Sequence, residues 1–219
     1  MRNYIRYVIY LIVFIGVSFA IAGSYEDFFG AIRADDDKAV RALLQRGFDP
    51  NTLSPSGDPA LIVALREPSF KVISALLASP LTQVEYRTVN DESALMLASL
   101  RGYIDVCKDL IARNADVNKP GWTPLHYAAT GGHSSIVELL LDNHAYIDAT
   151  SPNASTPLML AAKYGTIDVV KQLLEAGADP LLKNGLGLTA IDFATQVQRD
   201  DIVRAISAAV RSTRKQGAW

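Results

Sequence analysis

Three histidines, His126, His133 and His144, and the single cysteine, Cys107, are the residues of this chain best suited to chemistry. A helical metal pair such as H-E-x-x-H places its ligands four residues apart. Here the histidine separations are 7 and 11, and there is no second thiol. A Ser–His–Asp arrangement has its residue types but neither a nucleophile elbow nor an oxyanion loop. No phosphate loop or G-x-G-x-x-G occurs, and Gly185-Leu186-Gly187 reads as a turn. The acidic run Asp35-Asp36-Asp37 lacks the spaced ligands of a calcium loop and reads as the cap of the helix that follows. Asn153-Ala154-Ser155 is a formal glycosylation sequon that matters only in a host that glycosylates there. The pattern points to no catalytic residue, no metal and no cofactor.

The elements that carry these residues are helical and repeat. From Trp122 to Leu141, Thr123 can cap a helix that opens with Pro124, and Leu125, Ala128 and Ala129 share one face. Gly131-Gly132 ends it, and Ile136, Val137, Leu140 and Leu141 form a second apolar stripe. One such pair cannot bury its stripe alone. The same pattern restarts at Thr156 and Thr189, each 33 residues on, and at Ser93, 30 residues back. Weaker copies start at Pro59 and Glu26. Cys107 falls where Val137 and Val170 fall in later copies, which makes it an inward-facing core thiol.

The T-P-L-H-x-A-A-x-x-G-H-x-x-I-V-x-x-L-L pattern, nearly complete at 123–145 and 156–179, resembles the ankyrin repeat. The resemblance covers residues 25–210. It implies an all-α repeat solenoid of about six ankyrin repeats, starting near 26, 59, 93, 123, 156 and 189, stacked in one curved array. It also implies that His126 and His133 hydrogen-bond loop backbone and that β-turn fingers project between repeats. Thr150–Ala154 and Lys183–Gly187 are predicted to be full fingers, whereas Lys119-Pro120-Gly121 is cut back by three residues. Gly165 is expected to supply the conformational freedom of a helix-ending turn. The second repeat departs most from the pattern, and a long connection, Ser79–Asp91, follows it.

Residues 1–22 differ in composition from the rest. Arg2 and Arg6 precede an apolar run, Tyr7–Ala22, of 16 residues that ends in Ala20-Ile21-Ala22. That is the form of a signal peptide cleaved before Gly23, and the run is shorter than the ~20 residues that span a bilayer. The alternative is an uncleaved anchor, so a membrane association follows only if residues 1–22 are retained. Cleavage leaves 19 basic and 23 acidic residues, a net charge of −4. That balance gives no electrostatic footprint for nucleic acid. At the other end, 211–219 is basic, lacks periodicity and is predicted to be a flexible tail.

What remains is a surface. The resemblance implies partner binding on the concave wall formed by the fingers and the outer faces of the first helices. Positions matching that wall include Glu92, Trp122 and Ser155 before the helix start, and Leu100, Arg101, Thr130, Lys163 and Tyr164 at the helix end. Trp122, Tyr164, Leu100 and Arg101 have the aromatic-and-arginine composition of binding hot spots. Trp122 either touches a partner or packs on its neighbour's finger. The sequence thus predicts an exported, non-catalytic module that binds another protein. Similar small bacterial proteins, by resemblance, serve stress defence or neutralise a toxin.

Overall fold

The computed structural model describes residues 23–215. Residues 1–22, the expected export segment, and residues 216–219 of the expected tail lie outside the described residues. The chain is an all-α repeat solenoid of helix pairs, and it divides into two compact units, up to Asn90 and from Asp91 on. The division falls at the end of the irregular Ser79–Asp91 connection. Among the described residues no helix is long and apolar enough to cross a membrane.

The first unit holds α1 (residues 23–33), α2 (Asp37–Gln45), α3 (Ala60–Arg66) and α4 (Phe70–Ala78). Phe28, Ile32, Val40, Ile62, Leu65, Ile73 and Leu76 are its buried core, with Phe28 and Phe48 rings 4.6 Å apart. The acidic run is structural, and each of its residues does something different. Asp36 caps α2, as its position predicts, by accepting from Ala39 N. Asp35 reaches the next repeat and accepts from the N–H groups of Lys71 and Val72 at the start of α4. Asp37 pairs with Arg41 one turn on.

The second unit holds α5 (Ala94–Arg101), α6 (Ile104–Ala112), α7 (Pro124–Gly131), α8 (Ser134–Asp142), α9 (Pro157–Tyr164), α10 (Ile167–Glu175), α11 (Ala190–Gln196) and α12 (Asp200–Lys215). The first helices α5, α7, α9 and α11 pack in one row, and α6, α8, α10 and α12 in another. Fully buried Ala98, Ala128, Ala129, Ala161 and Ala194 let the first row close up. Each first helix begins on a hydroxyl cap, Ser93, Thr123, Thr156 or Thr189, which accepts from the backbone three residues on. Side chains of the second row stitch repeat to repeat: His133 donates to Leu100 O and Arg199 to Gly165 O. Helix α12 runs on to Lys215, so helix replaces tail over residues 211–215.

Two glycines are required by different physics. Gly132 ends α7 in the left-handed region at φ 72°, with the Thr166 methyl where a side chain would go. Gly165 is extended, with φ −79° and ψ −158°, so the expected need for glycine's freedom is incorrect there. Its requirement is steric, because a Cβ would strike the Ala129 carbonyl and stand 2.9 Å from Ala161 Cα.

Candidate partner-binding groove

Equivalent positions of successive repeats line up in columns and build the site. Leu97, Tyr127, Leu160 and Phe193 occupy the same position of α5, α7, α9 and α11, four residues after each cap. Leu100, Thr130, Lys163 and Gln196 occupy the position one turn later. Helical spacing puts these two columns on one face of the first row. There they bound an apolar groove of about 230 Å³ lined by Leu100, Trp122, Tyr127, Thr130, Leu160 and Tyr164.

Four of the residues predicted from sequence therefore come together: Trp122, Leu100, Thr130 and Tyr164. Tyr164 is 58 % exposed and forms a wall of the groove. Lys163 lies at the margin, its ammonium 5.3 Å from the Tyr164 ring centre and 5.7 Å from that of Phe193. Arg101 is exposed at the last residue of α5, next to Leu100. Glu92 is not among the lining residues, and its carboxylate accepts from the Tyr127 phenol. Burial, then the charge of Glu92, push the Tyr127 phenol up to about 12.

Ser155 is a correction. It is 1 % exposed, and its carbonyl accepts from both Ser151 N and His126 Nε2. The full finger 151–154 folds over it, its N–H donating to Ser151 Oγ, so it offers a partner nothing.

The histidines do structural work. His126 is fully buried, with Nε2 2.9 Å from Ser155 O and Nδ1 3.2 Å from Thr123 N. The carbonyl must receive a proton and Nδ1 must accept one, which fixes the neutral tautomer with hydrogen on Nε2. Burial is the main cause that lowers its pKa to about 4. Met96, Met159 and Asp192 replace it in the other repeats, turning a thioether or carboxylate back to the cap N–H. Burial likewise raises the Cys107 thiol to about 11, which keeps it protonated at neutral pH. Among the described residues no group of three or more His, Cys, Asp or Glu side chains could hold a metal.

Two parts of the site escape a reading along the chain. Tyr127 and Leu160 are one, and the recurrence of a large apolar residue four places after the cap is the signal that finds them. Lys119 is the other. It is 2 % exposed, and its ammonium donates to Pro120 O and Trp122 O and pairs with Asp91 at 2.6 Å. In the full fingers a backbone N–H donates to the residue before the cap, as Ser151 N does to Ser155 O and Asn184 N to Leu188 O. At the shortened finger the lysine side chain takes over that donation to Trp122 and thereby holds the backbone that presents the indole. The Trp122 ring then stands edge-on to His126, with centres 5.3 Å apart.

The family model Ankyrin repeats (3 copies) matches residues 28–120, 79–151, 95–184 and 147–214. The chain is 30 % identical over 172 residues to B-cell lymphoma 3 protein homolog of Mus musculus, covering 75 % of this chain and 38 % of that protein. It is 30 % identical over 164 residues to the nuclear factor NF-kappa-B p105 subunit of Mus musculus, covering 71 % and 17 % respectively. SH3 and multiple ankyrin repeat domains protein 2 of Homo sapiens is 30 % identical over 173 residues, covering 76 % of this chain and 9 % of that protein. In each case the matching region is less than half of the relative's length.

Proposed function

Because the chain belongs to the ankyrin-repeat family, whose repeats generally mediate protein–protein interaction, we propose that it is a non-catalytic interaction module exported to the periplasm. It grips a partner protein through the finger and first-helix face of its second unit. The observation that carries this reading is the apolar groove among α5, α7 and α9, which brings together residues from three successive repeats. Large aromatic side chains in such a hollow are the usual energetic centre of an interface. The slightly acidic charge balance favours protein over nucleic acid.

Export rests on the composition of residues 1–22, and the anchored adaptor is the competing arrangement. Intact mass after cell fractionation separates the two. A soluble periplasmic species beginning at Gly23 supports export, whereas a full-length species in the membrane fraction replaces it with an anchor. For the face itself, Trp122→Ala combined with Tyr164→Ala should abolish saturable capture of a periplasmic protein while leaving the helical circular dichroism unchanged. Wild-type capture by the folded double variant would sink the assignment of the groove.

A further inference from the structure

The groove has a chemistry of its own. At about 230 Å³ it is below the ~300–1,000 Å³ of small-molecule sites, a size suited to one large side chain rather than a cofactor. Two of the three hydroxyls of its lining are engaged within the protein, since Thr130 donates to His126 O and Tyr127 to Glu92, and the third belongs to the exposed Tyr164. An occupant is therefore met chiefly by the apolar bodies of Leu100, Leu160 and the aromatic rings.

The charged groups around it differ in their partners. On the finger side, Glu92 has the Tyr127 phenol and Asp91 has the Lys119 ammonium. On the helix-end side, Lys163 lies against two aromatic rings, and among the described residues no carboxylate stands within 4 Å of its ammonium. The helix-end side of the groove thus presents a cation whose partners are aromatic faces rather than a carboxylate.

We propose that the groove of the second unit takes a single aromatic or branched aliphatic side chain from a partner polypeptide, with an adjacent partner carboxylate placed against Lys163. This rests on the reading of the same face as an interaction surface and specifies what that surface recognises. An acidic-hydrophobic segment satisfies both features. A basic segment would bring like charges together at the margin, and a uniformly apolar one would leave Lys163 without a carboxylate. The competing account of Lys163 is that a cation in the last turn of α9 only complements the helix dipole. That account makes Lys163 matter for stability but not for partner sequence.

The test is selection of a random-sequence, phage-displayed dodecapeptide library on the immobilised full chain. Wild-type protein should enrich peptides with one Phe, Trp, Leu or Ile and an Asp or Glu within two residues of it. Lys163→Glu should reverse the neighbouring preference to Lys or Arg and weaken the wild-type peptide about three- to fivefold in fluorescence anisotropy, an effect that shrinks with added salt. Thr130→Trp, which fills the groove from α7, and Tyr164→Ala, which removes its wall, should each weaken binding at least tenfold. Circular dichroism identifies any variant that has lost its fold, and Lys163→Gln then replaces Lys163→Glu, with loss of the acidic preference as its expected result. Peptides whose neighbouring charge does not respond to Lys163 overturn the proposed occupant while the groove reading survives. Peptides indifferent to both folded groove variants, or no enrichment at all, overturn the groove reading together with the proposal.

Discussion

His126 makes the fold acid-sensitive, and its geometry fixes the direction and size of the effect. In the unfolded chain its imidazole takes up a proton near the ordinary value of about 6.5. In the folded protein that proton is refused until the pH falls to about 4, because the ring is fully buried and its Nδ1 must stay an acceptor. Above about pH 7 both states are neutral, so the contribution of the buried ring is complete. As the pH drops below 6.5 the unfolded state binds the proton first and gains free energy, and the loss is complete once the pH passes the folded value. The gap between about 6.5 and about 4 corresponds to about 3 kcal/mol, of which about 2 kcal/mol is lost between pH 7 and pH 5.

Urea unfolding monitored by circular dichroism at pH 7, 6 and 5 measures this. His126→Gln is the reference, since an amide three residues after the cap can still turn back to the cap N–H. The wild type should lose about 2 kcal/mol more than the variant over that range. Proton NMR of the His126 ring gives the folded pKa directly. An imidazole that titrates near 6.5, or two proteins with parallel pH profiles, would refute the reasoning from burial and tautomer.

Four further outcomes follow from single substitutions. Gly165→Ala should cost about 1–3 kcal/mol in urea unfolding, because the Ala129 carbonyl and the Ala161 backbone cannot give way; an unchanged midpoint would mean that α7 and α9 are further apart than described. Lys119→Met should cost about 1–3 kcal/mol by leaving the Pro120 and Trp122 carbonyls without their donor, and should shift Trp122 fluorescence. Asp91→Asn should cost less, since that carboxylate is 58 % exposed, and the reverse ranking would show that the ion pair, not the carbonyls, matters. Ser155→Ala should leave stability within about 0.5 kcal/mol or raise it, because the buried hydroxyl has no hydrogen-bond partner among the described residues; a loss above 1 kcal/mol would falsify that.

The helix pairs were legible because their determinants are local and recur. Threonine at 123, 156 and 189, alanines one turn later and apolar stripes beyond them each specify a cap, a close approach and a buried face within a few residues. The inward placement of Cys107 follows from the same alignment. What eluded the sequence depends on contacts between repeats. The residue before the cap is equivalent at 122 and 155, yet a full finger folds over Ser155, and the shortened one leaves Trp122 beside the groove. A three-residue deficit announces that backbone is missing but not that a lysine replaces its hydrogen bond. Asp35 reads as part of one cap and serves the helix of the following repeat. Gly165 was the right residue for the wrong reason, because a neighbour's carbonyl is invisible in the residue's own surroundings.

The Lys119 arrangement has a bearing on how such a chain could be re-engineered. Repeats with a common outline invite treatment as cassettes to be swapped, duplicated or deleted. Here the ammonium needs an aspartate placed before the third repeat's first helix and a carbonyl at the entrance to the fourth. Moving either repeat alone separates donor from acceptors, and restoring a full-length finger would crowd the lysine out of its seat. The third and fourth repeats are thus coupled through one lysine and would have to be transferred together to keep its contacts.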